Sequence, residues 1–333
     1  MNTHNKILSS KEVYVACDFS LPLRMFNLPE IHEKKIKHLF PNINIIFIPK
    51  EISKLSLKSQ EQLKKATIYW GNLFSKDMLK LMPMLEWIHF GSVGVEKANS
   101  EEVRKKNIKI TNSINIVDNA MASSAIAAMT NLSRGLFRAE KLRTLKKLNR
   151  QSWDYFGEHI HDFFGGHVLI VGYGSVGHKL AKICKAFDMK VSAVNRSNLP
   201  DSNVDQFYRL NNATSALKDV DFVVNLLPLS DETEQFFSGD FFRMMKTTSF
   251  FINIGRGETV VEEDLIAALN NKTISAAALD VFFKEPLSLD SPLWDVDNVI
   301  ITPHVAGYTN QFWPKQTDLF IKLLSNHLGN PIK

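Results

Sequence analysis

An arginine, a glutamate and a histidine stand in three short segments whose residue types suit proton transfer beside a carbonyl oxygen. The segments are Phe251-Ile-Asn253-Ile-Gly255-Arg256-Gly257, Ala278-Leu-Asp280-Val-Phe-Phe-Lys-Glu285-Pro286-Leu287 and Ile301-Thr-Pro303-His304-Val-Ala-Gly307. Arg256 carries a rigid fork of donors that can hold a carboxylate and polarise the carbonyl next to it. His304 can give a proton to that oxygen as hydride reaches the carbon, because imidazole titrates near neutrality. A carboxylate at Glu285 beside His304 would favour the charged imidazolium. Taken singly, His304 reads as well as a satisfied turn histidine, and Arg256 as half of a surface ion pair. The three together point to reduction of a 2-oxo acid.

Such a reduction needs a hydride donor, and Val168-Leu-Ile-Val-Gly172-Tyr-Gly174-Ser-Val-Gly177 supplies the place for one. A buried strand precedes these glycines and an amphipathic helix follows, the context a dinucleotide-binding turn requires. Gly172 allows the tight turn, Gly174 lets a pyrophosphate approach the backbone, and Gly177 lets helix and strand pack closely. Tyr173, Ser175 and Val176 complete the loop, whose helix N-terminus offers N–H groups to the phosphates. At the end of the next strand, where NAD-binding proteins usually carry an acid, the sequence has Asn195, Arg196 and Ser197. A guanidinium and a hydroxyl would bind a 2′-phosphate that an aspartate would repel. NADP(H) is therefore favoured, with NAD(H) left open.

These groups need rigid elements behind them, and the chain supplies an alternation of short apolar runs and helical patterns. The strands expected in the first half are Val13–Cys17, Ile43–Ile48, Thr67–Trp70, Trp87–Phe90 and Ile108–Thr111. Those of the second half are Val168–Val171, Lys190–Val194, Phe222–Asn225, Ser249–Asn253, Ala276–Val281 and Val299–Thr302. Between Gly177 and the next strand, Val176, Leu180, Ile183 and Phe187 recur on one helical face. Strands alternating with helices predict parallel sheets covered on both sides, whose carboxyl ends line a ligand crevice. A long apolar helix near Asp118–Leu136 joins the two series, and a last helix, about Thr309 to Leu328, could return to the first domain.

Composition narrows the function classes. With 333 residues, 44% hydrophobic and 23% charged, the chain reads as a globular protein of two domains. It has no run of about 18 uncharged apolar residues, so no membrane partner is expected. Met1–Asp18 lacks the apolar block of a signal peptide, and Cys17 and Cys184 give neither a disulfide framework nor zinc spacing, so a cytoplasmic location is expected. A net charge of +5 is a weak argument for anionic partners. The basic stretch Arg134–Arg150, with Leu142, Leu145 and Leu148 every third residue, predicts one amphipathic helix with a solvated basic face rather than a nucleic-acid site. Glu158, His159, His161 and Asp162 read as an exposed polar linker, and no metal site is expected.

The segments GYGSVG, Leu227-Pro228-Leu229-Ser230 with Thr233, NIGRG, ALDVFFKEPL, Ser291-Pro292-Leu293-Trp294 and TPHVAG, in this order and spacing over residues 165–307, closely resemble the D-isomer-specific 2-hydroxyacid dehydrogenases. The resemblance implies that Arg256 binds substrate and that Glu285 and His304 form the acid/base pair. It also implies that Asp280 lies at the nicotinamide end, and that Leu227, Pro228, Thr233 and Ile254 line the cofactor. The first half resembles the family more loosely. There Ser92-Val93-Gly94 matches the loop whose N–H groups receive the substrate carboxylate, and small residues suit such an anion nest. That tract is most similar to glyoxylate and hydroxypyruvate reductases. Ser123 stands where many relatives have a glutamate, and Ile114-Asn115 replaces a frequent proline–glycine pair, which touches specificity rather than chemistry.

The resemblance implies an α/β protein with two doubly wound parallel-sheet domains around a cleft. A Rossmann cofactor domain would span residues 116–306, and a flavodoxin-like substrate domain residues 1–115 plus 307–333. A homodimer is implied by the subunit-crossing arm of relatives. Trp153 in that region fits a dimer interface or its own domain equally, and Phe312 and Trp313 fit a pocket rim or core. Glu285 argues against a formate dehydrogenase, whose histidine partner is an amide. A dinucleotide-sensing binding protein of the same fold stays open.

Overall fold

The computed structural model describes residues 12–21, 23–95, 98, 100–196 and 201–329. Ser197 lies outside them. In chain order come β1 (Val13–Cys17), α1 (Glu30–Leu39), β2 (Ile43–Phe47), α2 (Leu57–Leu63), β3 (Ile68–Gly71), α3 (Met78–Leu81), β4 (Trp87–Phe90), α4 (Glu101–Lys105) and β5 (Lys109–Thr111). Three helices follow, α5 (Asp118–Ser133), α6 (Leu136–Thr144) and α7 (Ser152–His159). The longer series is β6 (His167–Val171), α8 (Ser175–Ala186), β7 (Lys190–Val194), β8 (Gln206–Tyr208), β9 (Phe222–Asn225), α9 (Gly239–Met244), β10 (Phe250–Asn253), α10 (Glu262–Asn270), β11 (Ala276–Leu279) and β12 (Val299–Ile301). The described chain ends in α11 (Phe312–His327). These elements form two compact units, Met1–Ile116 with Thr309–Lys333, and Val117–Tyr308.

The first unit is a five-stranded parallel sheet in the order β2-β1-β3-β4-β5, the flavodoxin-like order. Its strands β3 and β4 are buried throughout, as the apolar runs require when helices cover both faces. On one side α11 packs an aromatic wall, with Phe320 stacked on Trp70 at 4.0 Å and Trp313 edge-on to Phe19 at 5.0 Å. Phe312 and Trp313 are thus core residues of this unit.

The second unit is a seven-stranded parallel sheet, β12-β11-β10-β9-β6-β7-β8. Its order reverses between β6 and β9, the switch point at which doubly wound sheets bind nucleotides. One face carries Leu169, Val171, Phe251 and Phe237, the other Val168, Ile170, Phe222 and Ile252 under α5 and α8. In α8 the fully buried stripe is Gly177, Leu180, Ala181 and Cys184, displaced by about one position from the stripe the sequence suggests.

Two expectations fail. The strand β8 is absent from the sequence reading because three edge residues, Gln-Phe-Tyr, carry no periodic signal. The basic stretch is not one helix: Lys146 takes a left-handed φ of 55°, its neighbour Lys147 closes back on Leu142 at 2.8 Å, and α6 ends. Leu145 and Leu148 therefore lie beyond the helix and are half exposed instead of forming its apolar face. Trp153 on α7 is 71% exposed. No described helix is long and apolar enough to cross a membrane.

Candidate active site

Every strand of the second unit except the edge strand β8 ends, on the carboxyl side, in a loop carrying one of the chemically marked residues. Along the sheet the loops run His304 after β12, Glu285 after β11, Arg256 after β10, Leu227 and Pro228 after β9, the glycine turn after β6, and Asn195 and Arg196 after β7. Glycines let neighbouring loops touch. A Cβ on Gly257 would stand 1.9 Å from the carbonyl carbon and oxygen of Phe282, and one on Gly255 would stand 2.9 Å from the Leu227 oxygen. The arginine loop is therefore wedged between the loops on either side.

His304 and Glu285 meet directly, with Nδ1 and Oε2 2.6 Å apart. The second glutamate oxygen accepts the Phe282 N–H at 3.2 Å, so the carboxylate is held from both ends. His304 has a left-handed backbone, φ 54°, which costs a side-chain-bearing residue about 1–2 kcal/mol. Asp280 holds this turn. Its carbonyl accepts the His304 N–H at 2.8 Å, and its buried carboxylate accepts Thr302 Oγ1, Val305 N and Ala306 N at 2.6–2.9 Å. The hydrogen bond to Glu285 raises the pKa of His304; burial opposes it, the charges of Glu285 and Asp280 add to it, and Arg256 subtracts. Burial pushes Glu285 up, but the bond and charge of His304, the Phe282 N–H and Arg256 together hold it below the ordinary carboxylate range. Each group thus favours the charged form of the other.

Arg256 is half-buried, with Nη1 donating to the Gly255 carbonyl at 2.8 Å. Its own carbonyl accepts from Thr259 Oγ1 at 2.7 Å and Asn253 Nδ2 at 3.2 Å. Behind these stands Asn225, fully buried at the end of β9, whose Nδ2 donates to Asn253 Oδ1 at 2.9 Å and Thr259 Oγ1 at 2.7 Å, while its Oδ1 accepts the Leu227 N–H at 2.9 Å. Sequence reasoning missed this network. The signal available was an asparagine closing each of two buried apolar strands, where an amide needs partners.

The glycine turn is closed by backbone at Gly172 and Gly177 and open at Gly174. Gly172 has φ 103°, and a Cβ there would strike the Leu226 carbonyl at 2.8 Å. A Cβ on Gly177 would meet the Gly172 oxygen at 2.8 Å, whereas one on Gly174 would meet nothing within 4 Å. Gly174 is the residue that caps α8, at whose start a dipole and N–H groups attract anions. Tyr173 is tied to the next loop: Asp201 accepts its hydroxyl at 2.6 Å and pairs with His178 at 2.6 Å. These bonds, Tyr173 first, hold the Asp201 carboxyl down at about 2. Nothing in the sequence marked Asp201.

Other residues marked in the sequence fall as follows. Leu227 and Ile254 are buried at the strand ends. Ile254 and Asp280 border a pocket of about 210 Å³ that Ser124, Asn131, Thr302 and Ala306 complete. Thr233 is 2% exposed, and its hydroxyl donates to the Pro228 oxygen at 2.7 Å and accepts the Ser230 N–H at 2.8 Å, which shapes the loop after β9. Arg196 is 75% exposed and paired with Glu232 at 3.0 Å.

In the first unit, Ser92, Val93 and Gly94 follow β4. Their carbonyls are drawn backward, Ser92 by the Ser113 N–H at 3.1 Å, Val93 by Asn112 Nδ2 at 2.6 Å and Gly94 by Ser92 Oγ at 3.2 Å. Among the described residues no acceptor takes the N–H of Ser92, Val93 or Gly94. A loop with its oxygens tied back and its donors open suits an anion.

Residues 126–306 match the family described as D-isomer specific 2-hydroxyacid dehydrogenase, NAD binding domain. The chain belongs to the D-isomer specific 2-hydroxyacid dehydrogenases. A probable 2-ketogluconate reductase of Dictyostelium discoideum is 35% identical over 257 residues, 75% of each chain. Glyoxylate/hydroxypyruvate reductase B of Klebsiella pneumoniae is 33% identical over 236 residues, 70% of this chain and 72% of that one. Among solved structures, a D-isomer specific 2-hydroxyacid dehydrogenase family protein from Aeromonas salmonicida superposes with a TM-score of 0.78 at 26% identity, over 97% of this chain and 98% of that one. An acyclic imino acid reductase solved with NADPH and D-Arg reaches 0.79 at 20% identity, covering 96% and 99%, a likeness of fold alone. This dehydrogenase is accordingly an enzyme acting on 2-hydroxy or 2-oxo acids with a nicotinamide dinucleotide, and the open approach at Gly174 and the start of α8 fit that group.

Proposed function

We propose that the enzyme reduces a small 2-oxo acid, of the glyoxylate or hydroxypyruvate type, to the D-2-hydroxy acid, with NADPH preferred over NADH. The observation that carries this reading is the hydrogen bond between His304 Nδ1 and Glu285 Oε2, with Arg256 on the adjacent strand end. When bound, the dinucleotide supplies the hydride. The unit Val117–Tyr308 acts as the cofactor domain and the other unit as the substrate domain.

Gly172 to Gly177 receive the pyrophosphate, and Arg196 the 2′-phosphate, Asn195 having replaced the acid that would repel it. Leu227, Pro228 and Ile254 give the cofactor its apolar wall, and Asp280 borders it while fixing the His304 turn. Arg256 is assigned to the substrate carboxylate, and the open amides of Ser92, Val93 and Gly94 suit an anion on their own unit. His304, kept protonated by Glu285, releases its Nε2 proton to the carbonyl oxygen, and Arg256 stabilises the charge developing there. Glu285 then balances the histidine through its change of charge. Exposed Leu136 on α6, Leu148 between the two helices and Trp153 on α7 support assembly as a homodimer through this region, which sedimentation velocity checks. Two buried free cysteines and an absence of apolar spanning helices among the described residues support a cytoplasmic enzyme, which fractionation checks.

The test is oxidation of NADPH and NADH with glyoxylate, hydroxypyruvate, 2-ketogluconate and bulkier 2-oxo acids. Turnover of a small 2-oxo acid, faster with NADPH, is expected. A preference for bulky acids would overturn the substrate, and equal or better use of NADH would overturn the cofactor.

A further inference from the structure

We propose that Glu232 is a specificity-determining residue for the cofactor, competing with a 2′-phosphate for the Arg196 guanidinium; this rests on the reading of Arg196 as the phosphate's partner. In the sheet, β7 and β9 lie on either side of β6, so the loop bearing Arg196 and the loop bearing Glu232 flank the glycine turn. Parallel strands are about 4.8 Å apart, so two strand positions separate these loops by about 10 Å, a gap that only long side chains can span. Arg196 Nη2 and Glu232 Oε2 span it at 3.0 Å, tying the two loops together across the strand that carries the turn.

The pair also restores an acid to a place where the strand end has none. Asn195 turns its Oδ1 back onto the Arg196 N–H at 2.8 Å, so its side chain is engaged with its own backbone. The carboxylate near the guanidinium arrives instead from the facing loop. There Ser230 accepts the N–H groups of Thr233 and Glu234, both at 2.9 Å, and Thr233 Oγ1 accepts the Ser230 N–H, which fixes a tight turn with Glu232 inside it. Asp231 and Glu234 flank it, yet the ion pair to Arg196 is made by Glu232.

A 2′-phosphate entering this position has to displace one anion from the guanidinium and then remain beside it. A 2′-hydroxyl faces neither cost. Glu232 therefore lowers affinity for the phosphorylated cofactor and leaves the other unaffected, so the preference that Arg196 creates is narrower than Arg196 alone would give. Both side chains are largely exposed, 75% and 70%, so the effect is that of a solvent-screened pair. Together with repulsion of the phosphate, this gives a change of about three- to tenfold in affinity.

The experiment measures dissociation constants of NADPH and NADH by quenching of protein fluorescence, at fixed ionic strength, for the unaltered enzyme, Glu232→Gln, Arg196→Ala and the double variant. Glu232→Gln should tighten NADPH by about three- to tenfold and leave NADH alone, and the gain should vanish in the Arg196→Ala background. A change under about twofold for NADPH, equal tightening of both cofactors, or a gain that persists without Arg196 would overturn the role of Glu232. The two ideas separate in the single variants. If Arg196→Ala weakens both cofactors equally, the 2′-phosphate reading itself is wrong; if Arg196→Ala is selective for NADPH while Glu232→Gln is silent, only the competition is wrong.

Discussion

Replacing Asn225 by alanine should cripple the enzyme although this side chain lies one residue layer behind Arg256. Its carboxamide makes three buried hydrogen bonds, to Asn253 Oδ1, Thr259 Oγ1 and the Leu227 N–H. Alanine leaves the Leu227 N–H without a partner, at about 1–3 kcal/mol, and removes two further bonds worth about 0.5–1.5 kcal/mol each. Asn253 Oδ1 keeps the Gly255 N–H and Thr259 keeps the Arg256 carbonyl, which limits the damage. The sum is about 2–6 kcal/mol, or a fall in unfolding midpoint on the order of 10 °C for a unit the size of Val117–Tyr308. Since Asn253 and Thr259 are the residues that hold the Arg256 carbonyl, the guanidinium should lose its register, and a misplacement of about 1 Å costs about a hundredfold in rate. The assay pairs thermal unfolding with steady-state reduction of a 2-oxo acid at a temperature where the variant is folded. A variant destabilised as calculated that keeps kcat/KM within about threefold of the parent would show that the network supports the sheet and not the arginine, and the reasoning would fail.

Two further predictions use the same unit. Glu285→Gln removes the main cause of the raised His304 pKa, so the imidazolium should be lost at lower pH and the alkaline limb of the reduction profile should move toward acid; an unmoved limb would remove His304 from the proton transfer. The stability attached to this pair has the matching sign. The raised histidine contributes fully below the unfolded histidine pKa and loses its effect as pH rises through the folded one. The depressed glutamate contributes above its unfolded pKa and loses its effect as pH falls through the folded one, so Glu285→Gln should cost most stability between about pH 4.5 and 6.5. Gly257→Ala and Gly174→Ala should fail in opposite ways. The first forces a methyl to 1.9 Å from the Phe282 carbonyl and should destabilise by more than about 4 kcal/mol in unfolding measurements, while the second should unfold normally yet bind dinucleotide poorly in a fluorescence titration. A folded, stable Gly257→Ala would mean the two loops are free to separate.

Much of this fold could be read from residue patterns because parallel strands buried on both faces appear as unbroken apolar runs. Val168–Val171, Phe222–Asn225 and Trp87–Phe90 are of that kind, and the structure has strands at each. Where an element depends on its neighbours, the pattern was silent or misleading. Strand β8 exists because β7 offers it an edge to pair with, and the basic stretch breaks because Lys146 adopts a left-handed turn that leucine spacing does not foretell. The same division runs through the site. Arg256, Glu285 and His304 were visible because strand ends deliver side chains to loops, and Glu285 and His304 do meet. Asn225 with Thr259, Tyr173 with Asp201, and Arg196 with Glu232 join positions 28 to 36 residues apart through side chains alone, and sequence spacing carries no trace of such contacts.

Those side-chain links explain how reactive groups on loops can be held as firmly as groups on strands. Each strand of the second unit ends about 4.8 Å from the next, so adjacent loops must either diverge or interlock. Here they interlock: Gly172 admits the backbone of the loop after β9, Gly255 presses on that same loop, and Gly257 presses on the loop after β11. Asn225 adds hydrogen bonds that cross from β9 to β10, and Asp280 adds others that cross from β11 to β12. A shift of any one loop therefore requires either a clash with backbone atoms or a buried polar group left unpaired, each costing more than a surface loop could offset. The placement of Arg256 is in this sense a property of three neighbouring strands, to which the bond from its guanidinium to the Gly255 carbonyl adds.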